Sequence, residues 1–481
     1  MQTPSAPLRR EVNFGGNQSW HTRRHEPASE AEVLDLLDRH QGGRIRALGS
    51  KHSWSDIAAG ADVSLELSRM TSVKPFVKDG SRFVRVGAGC TLQKLLDELH
   101  AATDQTLPTL GAIKKQTIAG AISTGTHGSG LQSLSHFVTN VRLAAYDSAG
   151  RATIFEYQSG DGLKAARCGL GCMGIILSVD LRTVPKYKVA ETVRNHQNLN
   201  DILHVYMEQP LTQFVYTPYT WKWQAFERRA VGWPPSSPMA FVKSRAFRIF
   251  NLAGLDILFH LGILASRLAG PWAIKRFLSC AHHLTIKQLE RVDDAERVLT
   301  VKHHYFCHEE MELFVGESRL ADAVEMLRSV TELFAGSAKA VPAGIEQRLR
   351  AVGLYDELLA YRGQYVQHYP FFFRRVMPEE TLVSMAASMT EPIYSISIFT
   401  YDRPGRRNQY YKFCSFLARA LNRLVAARLH WGKHFPLEHA DIAPLYPGMG
   451  TFRALCQRSD PVGVFRNSYT ARVLGLAPGR L

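Results

Sequence analysis

Apolar and polar positions recur with two different periods along the first part of the chain, and together they predict a mixed fold of strands and helices. Alternating or β-branched runs predict strands over 44–48, 81–89 and 174–185. Residues 91–102 place apolar side chains at helical spacing and predict a helix. Residues 137–157 predict a hairpin that turns at the sequence DSAG.

The later part of the chain shows the same two patterns. Amphipathic spacing predicts helices over 318–336 and 408–428, and alternation predicts a strand over 394–401. The short run GIEQR at 344–348 also suggests a strand. On a strand, its acidic residue and its basic residue would point to one face because they are two positions apart. The fold class we expect is α+β.

Composition narrows the range of partners. The 481 residues carry 58 Lys and Arg against 43 Asp and Glu, a formal charge of +15. This balance favours anionic partners, such as nucleotide phosphates or an anionic membrane. No basic run has interleaved aromatic residues, so we expect no nucleic-acid partner.

The cysteines and the first residues of the chain indicate the cellular compartment of the protein. The seven cysteines form no CxxC pair and imply no disulfide framework, which favours a reducing compartment. The first sixteen residues lack the apolar core of a secretory signal. We therefore expect a cytoplasmic protein. No His, Cys, Asp and Glu cluster has metal-ligand spacing, so we expect no metal.

Three glycine-containing segments carry the candidate chemistry. Residues 169–174 match GxGxxG, but the β-branched run that follows argues against a Rossmann site, which requires a helix there. The match instead indicates a tight turn or a close backbone approach to a cofactor. Residues 107–130 are rich in glycine and small residues, as in a backbone nest that binds anions. The turn GSKHS at 49–53 places a histidine beside such backbone.

The segments GSKHS, AGAISTGTHGSG and a late HWGK together resemble the aldonolactone oxidases of the vanillyl-alcohol oxidase superfamily of flavoproteins. These include gulonolactone and arabinonolactone oxidases, with alditol oxidases as near relatives. The resemblance is strongest over 44–130 and returns at 344–348, 429–435 and 460–469. It is weakest over 190–340.

The resemblance implies a two-lobed architecture. Residues 1–185 would form an FAD-binding domain of the PCMH type. Residues 186–440 would form a substrate domain, an antiparallel sheet covered by helices, with an apolar and basic insert at 241–286. Residues 441–481 would pack back near the flavin.

The resemblance also implies a cofactor site in which a histidine bonds covalently to the flavin. The matching histidine is His52. Relatives often have glycine at the preceding position, where Lys51 would either tighten the loop against the pyrophosphate or alter its backbone angles. The full set of implied FAD-binding residues is Gly49, Ser50, Lys51, His52, Ser53, Gly111, Gly120, Ser123, Thr124, Gly125, Thr126, His127, Gly128, Gly174, Ile175 and Lys433.

Four residues are implied to act on the chemistry. Glu346 and Arg348 match a Glu-x-Arg pair over the flavin, where an arginine stabilises negative charge on oxygen. Lys433 would favour the anionic reduced flavin. Gly111 matches a position that gates access of oxygen to the flavin. We expect His127 and His430 to be structural rather than catalytic.

The implied reaction is FAD-dependent oxidation of a sugar 1,4-lactone at the carbon-2 hydroxyl, with oxygen as acceptor and hydrogen peroxide as product. Three alternatives remain open. These are an alditol (polyol) oxidase, a flavin dehydrogenase that passes electrons to a membrane quinone or cytochrome, and a flavin-binding scaffold without catalysis.

The insert at 241–286 suggests attachment to a membrane surface. Apolar residues recur at helical spacing and basic residues flank them, as in interfacial helices. Asp256, His260 and Gly270-Pro271 interrupt the apolar run, so we do not expect it to span a bilayer. The alternatives are a helical hairpin packed on the substrate domain or a dimer contact. The residues concerned are Ile249, Leu252, Leu255, Phe259 and Ile263, with Lys243, Arg245, Arg248, Arg267, Lys275 and Arg276.

Overall fold

The computed structural model describes residues 7–232, 242, 244–247, 257–281, 288–301 and 307–479. Two sheets form before residue 183. The first has the order β1-β2-β4-β3 and the second the order β5-β6-β10-β8-β9, while β7 pairs with β11. The strands are β1 (Leu8–Val12), β2 (Ser19–His25), β3 (Ile45–Leu48), β4 (Val63–Glu66), β5 (Val73–Lys78), β6 (Ser81–Gly87), β7 (Gln105–Thr106), β8 (Val138–Tyr146), β9 (Ala152–Tyr157), β10 (Ile175–Arg182) and β11 (Val184–Pro185).

An antiparallel eight-stranded sheet follows, with the order β15-β12-β14-β13-β17-β18-β16-β19. Its strands are β12 (Lys188–His196), β13 (Gln213–Thr217), β14 (Lys222–Val231), β15 (Arg291–Asp294), β16 (Glu309–Gly316), β17 (Phe371–Val376), β18 (Ile393–Thr400) and β19 (Arg428–Leu429).

Helices cover these sheets and pack against their apolar faces. Those of the described residues are α1 (Glu30–Arg39), α2 (Leu92–Ala102), α3 (Ile118–Ser123), α4 (Gly160–Arg167), α5 (Leu199–Glu208), α6 (Phe259–Leu268), α7 (Pro271–Ala281), α8 (Ala295–Leu299), α9 (Leu320–Phe334), α10 (Ala343–Ala351), α11 (Tyr355–Ala360), α12 (Asn408–Val425), α13 (His439–Ile442), α14 (Met449–Ser459) and α15 (Ser468–Leu474).

Most of the predicted elements are confirmed. The helix predicted over 91–102 is α2, whose N-cap Thr91 accepts a hydrogen bond from the backbone N–H of Lys94 at 3.2 Å. The predicted hairpin is β8 and β9, which pair in register from Val141 to Tyr146. The amphipathic segments at 318–336 and 408–428 form α9 and α12, and the α+β fold class is confirmed.

The strand predicted at 344–348 is wrong, because these residues lie in α10. Ile345 and Leu349 are four positions apart and both are buried, so one stripe of the helix faces the core. The intervening charged residues point to solvent or to neighbouring helices. Alternation over five residues was too short to separate the two periods.

The central strand β16 has two different faces. Met311, Leu313 and Val315 are buried on the side where α9 and α12 pack. Glu310 and Glu312 alternate with them and therefore leave the opposite face. That face meets the glycine-rich segment of the first half of the chain, so the acidic side chains lie between the two parts of the molecule.

The C-terminal residues pack back onto β3 and the turn that follows. The carbonyl of Val464 accepts the backbone N–H of Ile45 at 2.9 Å. Asn467 donates from its amide to the carbonyl of Asp56 at 3.0 Å, and Tyr469 donates its hydroxyl to the carbonyl of Trp431 at 2.7 Å. These contacts hold the 49–55 loop and the HWGK segment in place.

Part of the insert forms a helical hairpin, α6 and α7. Phe259 and Ile263, predicted on the membrane-facing stripe, are instead buried against Ile274 and Leu278. Arg267 pairs with Asp402, so it is not part of a free basic flank. No helix of the described ranges is both long and apolar enough to cross a bilayer. The predicted positions Lys243, Arg248, Ile249, Leu252 and Leu255 lie outside the described residues.

Candidate active site

The turn after β3 and the HWGK segment meet directly. The backbone N–H of Trp54 donates to the carbonyl of Gly432 at 2.8 Å, and Ser55 donates its hydroxyl to the carbonyl of Trp431 at 2.7 Å. The ammonium of Lys433 lies 4.4 Å from the centre of the Trp54 ring, a cation–π contact. The fold therefore brings His52 and Lys433 into one region, although the sequence separates them widely.

Lys51 adopts a left-handed backbone conformation, with φ of +57°. A residue with a Cβ pays a cost there, which explains why glycine suits the position. The Lys51 ammonium pairs with Glu11 at 2.6 Å rather than lying over the turn. Burial raises the pKa of Glu11, but Lys51 and Arg24 outweigh it and leave the pKa below its usual value.

Several glycines are required because neighbouring atoms approach their Cα closely. A Cβ on Gly49 would lie 2.5 Å from the hydroxyl of Thr117, which caps α3. A Cβ on Gly111 would lie 2.5 Å from the Cγ2 of Thr126, and one on Gly128 would lie 2.7 Å from the carbonyl of Leu110. These segments therefore pack too closely at the three positions to accommodate a Cβ.

At the junction between the turn after β3 and α3, the backbone carries mostly small side chains and is partly exposed to solvent. Gly120 is exposed, and the turn from Ser50 to Ser53 is half-buried. Ser50 donates its hydroxyl to the carbonyl of Lys115, which ties the turn to the loop before α3. Backbone that carries mostly small side chains suits a pyrophosphate, so the residues present fit FAD at this junction.

The rest of the glycine-rich segment is mostly buried. Ser123 is the last residue of α3, and the residues that follow it are buried, namely Thr124, Gly125, Thr126, His127 and Gly128.

Gly174 and Ile175 hold β10 to β8 instead of forming a separate loop. Gly174 has φ of +129°, and a Cβ there would lie 2.4 Å from the carbonyl of Ala144. Ile175 is paired with Ala144 in the sheet. A strand, not a helix, follows GxGxxG, as predicted.

Two buried carboxylates on β16 form the centre of the site. The Oε1 of Glu312 lies 3.3 Å from the Nε2 of His127 and accepts the hydroxyl of Ser397 at 3.1 Å. Glu310 pairs with the ammonium of Lys433. The result is two adjacent contacts, Glu312 with His127 and Glu310 with Lys433, of which the first joins the eight-stranded sheet to the glycine-rich segment.

The ring nitrogens of the two histidines in the site, His127 and His430, contact neighbouring polar groups. His127 Nδ1 lies 2.9 Å from the carbonyl of Gly128 and its Nε2 lies 3.3 Å from the Glu312 carboxylate, so both ring nitrogens face hydrogen-bond acceptors. His430 Nδ1 accepts the backbone N–H of Gly432 at 3.0 Å. A neutral His430 consequently carries its proton on Nε2, where it is a donor.

Burial sets the charge states of this cluster. Burial raises the pKa of Glu310, and Lys433 only partly opposes it. Burial also acts to raise the pKa of Glu312, but the His127 imidazole and Lys433 outweigh it and hold the pKa well below its usual range. Burial lowers the pKa of His430 to about 3, which keeps the ring neutral.

His127, Glu312 and His430 each offer a ligand atom, and these atoms lie within 4.8 Å of one another. The ammonium of Lys433 acts on the same carboxylate and would repel a metal cation. We interpret the three side chains as a proton-holding cluster, and the absence of a metal stays a prediction. Their separation in sequence explains why metal-ligand spacing gave no signal.

Glu346 and Arg348 are not brought into this cluster. Arg348 pairs with Asp322 at 3.1 Å and with Glu325 at 2.5 Å, both on α9. Glu346 pairs with Arg350 one turn along its own helix. The expected arrangement of this pair on one strand face is therefore wrong, because α10 directs both side chains to helix surfaces.

Sequence reasoning missed Glu310 and Glu312. The available signal was the run EEMELFV, in which acidic residues at every second position alternate with apolar ones. On a strand this pattern puts two carboxylates on one face. Buried carboxylates are rare without a partner, and the partners lay too far along the chain to be assigned.

A cavity opens beside the cluster, between the two halves of the chain. Its lining comes from the glycine-rich segments, from the eight-stranded sheet and from adjoining loops. The lining residues are Pro108, Thr109, Leu110, Gly128, Ser129, Tyr187, Leu211, Gln213, Arg228, Leu299 and Arg374.

Comparisons with known proteins identify the family and the fold. A family model for D-arabinono-1,4-lactone oxidase matches residues 179–473, and a model for an FAD-binding domain matches residues 24–151. Cholesterol oxidase from B. sterolicum has a TM-score of 0.72 at 16% identity and covers 98% of this chain and 99% of its own. At that identity the likeness shows the fold alone.

Curated relatives match over nearly the full length. A long-chain alcohol oxidase from an uncultured marine euryarchaeote is 40% identical over 96% of each chain. An L-gulonolactone oxidase from Bos taurus is 25% identical over 93% of this chain and 94% of its own. An L-gulono-1,4-lactone dehydrogenase from Mycobacterium tuberculosis is 26% identical over 93% and 95%.

The family matches confirm the resemblance that the sequence motifs indicated. The lactone-oxidase model spans more than half of the chain, and the FAD-binding model covers the part that contains the GSKHS turn. The chain therefore belongs to the D-arabinono-1,4-lactone oxidase family and is an FAD-dependent oxidoreductase acting on CH–OH donors.

Proposed function

We propose that the chain oxidises a sugar 1,4-lactone at the carbon-2 hydroxyl, and that Glu310 and Lys433 act on that hydroxyl. The observation that carries the proposal is the buried Glu310–Lys433 pair, which lies beside the glycine-rich segment that suits FAD. Bound FAD supplies a two-electron acceptor at flavin N5.

The residues of the cluster have distinct roles in this proposal. The hydroxyl proton passes to the Glu310 carboxylate, whose raised pKa makes it a better base than Glu312. Lys433 and the Nε2–H of neutral His430 orient the substrate oxygen as the carbon loses its hydride and becomes a carbonyl. Glu312 accepts the Ser397 hydroxyl and the contact from His127, and so holds both side chains in position.

Oxygen is the proposed final acceptor, with hydrogen peroxide as product. Gly111 matches the family position that gates oxygen, and it packs directly against Thr126, which leaves no room there for a Cβ. We further propose that His52 bonds covalently to the flavin. His52 lies in the half-buried turn after β3, with its ring 4.9 Å from that of Phe14.

A second candidate function is oxidation of a primary alcohol. The observation in its favour is the 40% identity to the long-chain alcohol oxidase, which exceeds the identity to the two gulonolactone enzymes. Both candidates use the same hydride and proton steps. The two candidates differ in the part of the substrate that lies beyond the reacting carbon, which is a sugar-lactone ring in the first and an alkyl chain in the second.

Anaerobic mixing of the purified yellow protein with substrate panels tests both candidates. L-gulono-1,4-lactone and D-arabinono-1,4-lactone represent the first, decanol and hexanol the second, and sorbitol the polyol alternative. Rapid loss of oxidised-flavin absorbance identifies the donor class. A comparison of oxygen uptake with an artificial acceptor separates an oxidase from a dehydrogenase. A flavin that no panel bleaches would contradict the proposed function.

We also propose that the α6–α7 hairpin attaches the protein to an anionic membrane surface. Leu268 and Trp272 at its tip are 85% and 76% exposed, and Arg276 is exposed on α7. Sedimentation with anionic liposomes should carry the protein down, and the double variant Leu268→Ser/Trp272→Ser should stay in solution. Met207→Ser, on α5, is the matched exposed control. Wild-type protein that stays in the supernatant at low salt would contradict attachment.

A further inference from the structure

Aromatic rings lie beside the Glu310–Lys433 pair on the same face of the eight-stranded sheet. Phe399 is the direct cross-strand partner of Glu310, so their side chains leave the sheet next to each other. Phe372 lies opposite Ser397 on the following strand, and its ring is 5.6 Å from that of Phe399. Both rings are half-buried, so the buried pair has an apolar flank.

The rings continue from the sheet to the insert. The Tyr369 ring, just before β17, lies 5.5 Å from Phe399 and 5.8 Å from Phe372. On its other side the Phe259 ring of α6 is 5.3 Å away. Each ring is thus within 6 Å of the next, and the series Phe399, Phe372, Tyr369 and Phe259 is called the aromatic row below.

The hairpin at the end of the aromatic row is fixed by its inner side. Phe259, Ile263, Ile274 and Leu278 form a small core against which Tyr369 packs. The outer side of the same hairpin exposes apolar residues, including Leu258, Leu261 and Leu264. Apolar side chains therefore extend from the hairpin through its core and the aromatic row towards Glu310.

The sheet face is divided between two kinds of side chain. Gln213, Arg228 and Arg374 line the cavity on one part of the face, while the aromatic row occupies another. A sugar lactone carries hydroxyl groups and would leave the aromatic row without a matching ligand. An alkyl chain matches it, because each buried methylene strengthens binding by about fourfold.

We propose that the aromatic row binds the alkyl tail of a primary alcohol whose hydroxyl lies at Glu310 and Lys433, with the α6–α7 hairpin at the far end of the tail. This inference rests on the proposed flavin-dependent oxidation of a CH–OH group and selects its second candidate. The step is the same: the carbinol carbon loses a hydride to the flavin, its hydroxyl proton passes to Glu310, and an aldehyde forms.

A chain-length series tests the proposal in the FAD-loaded full-length enzyme. Butanol, hexanol, octanol and decanol are compared by anaerobic flavin reduction, and kcat/KM is measured for each. We expect kcat/KM to rise by up to about fourfold per methylene until the row is filled. Phe399→Ala and Phe372→Ala should flatten this rise. Phe155→Ala, a half-buried ring on β9, should retain the wild-type rise.

The outcomes separate this proposal from the function it rests on. Rapid bleaching by lactones with no response to any alcohol would overturn the tail-binding role and leave the oxidation of CH–OH groups intact. A flat chain-length series in the wild type, or the wild-type rise in both Phe variants, would also overturn it. Failure of lactones, polyols and alcohols alike would instead reject the proposed function itself.

Discussion

The Oε1 of Glu312 lies 3.3 Å from the Nε2 of His127, so a carboxylate of the eight-stranded sheet is hydrogen-bonded to the glycine-rich segment of the first half of the chain. Both side chains are buried. Removing one partner would leave a buried charge uncompensated, which is costly. The same contact that joins the two halves therefore also fixes the site between them.

Replacing Glu310 with Gln should slow flavin reduction by roughly a hundredfold or more, because the proton acceptor is lost while its shape and its contact to Lys433 are kept. Anaerobic stopped-flow measurement with the best donor gives the rate. Glu346→Gln and Arg348→Ala are the controls, since both residues lie on the surface of α10. Near-normal flavin reduction in Glu310→Gln, together with slow reduction in the controls, would show that the α10 residues act in catalysis and Glu310 does not.

His52 should carry the flavin covalently. Wild-type protein denatured in SDS should show a fluorescent band on a gel, and His52→Ala should lose that band while it still binds FAD. Lys51→Gly is a suitable control because it changes the same turn and leaves the histidine. Quantitative release of FAD from the wild type by acid would rule out the bond.

Gly111→Ala should slow reoxidation by oxygen and spare reduction by substrate. The added methyl group would lie 2.5 Å from the Cγ2 of Thr126, so the single variant also strains the loop. The double variant Gly111→Ala/Thr126→Ser removes that methyl and separates the two effects, with Thr126→Ser as its control. Equal reoxidation rates in the double variant and in Thr126→Ser would disprove the gating role.

The backbone at Lys51 can be tested by comparing two substitutions. Lys51→Gly and Lys51→Ala both lose the pair with Glu11, but only alanine keeps a Cβ at φ of +57°. The glycine variant should be more stable than the alanine variant by about 1 kcal/mol, measured by urea unfolding. Equal stabilities would mean that the turn relaxes without cost.

Two buried histidines should make the fold sensitive to acid. Burial lowers the pKa of His368 to about 4 and that of His430 to about 3, and each ring accepts a backbone N–H that a protonated ring could not accept. In the unfolded chain both rings gain protons below about pH 6.5, and in the folded chain they do not. The free energy of unfolding should therefore fall as the pH drops from about 6.5 towards 4, by up to about 1.4 kcal/mol per pH unit for each ring.

Urea unfolding of His368→Gln at several pH values checks this dependence. The variant should lose one ring's share of the slope over that range. His204→Gln, an exposed position on α5, should keep the full slope. An unchanged slope in His368→Gln would show that this ring does not contribute.

The sequence by itself determined the local structure and indicated the segments that we propose bind the cofactor. Helix α2 and the β8–β9 hairpin follow from apolar spacing and turn residues, which are properties of neighbouring positions. The GSKHS turn and the glycine-rich segment follow in the same way, because small residues and backbone amides suffice to indicate an anion-binding loop.

Tertiary structure alone decided which acidic residues form the site. Glu310 and Glu312 meet Lys433 and His127 only because β16 lies in the sheet that packs on the glycine-rich segment. Glu346 and Arg348 lie elsewhere because the buried spacing of Ile345 and Leu349 makes α10 a helix. Contacts between residues distant in the chain depend on the order of strands in the sheet and on packing between the two halves. Neither can be predicted from the spacing of neighbouring residues.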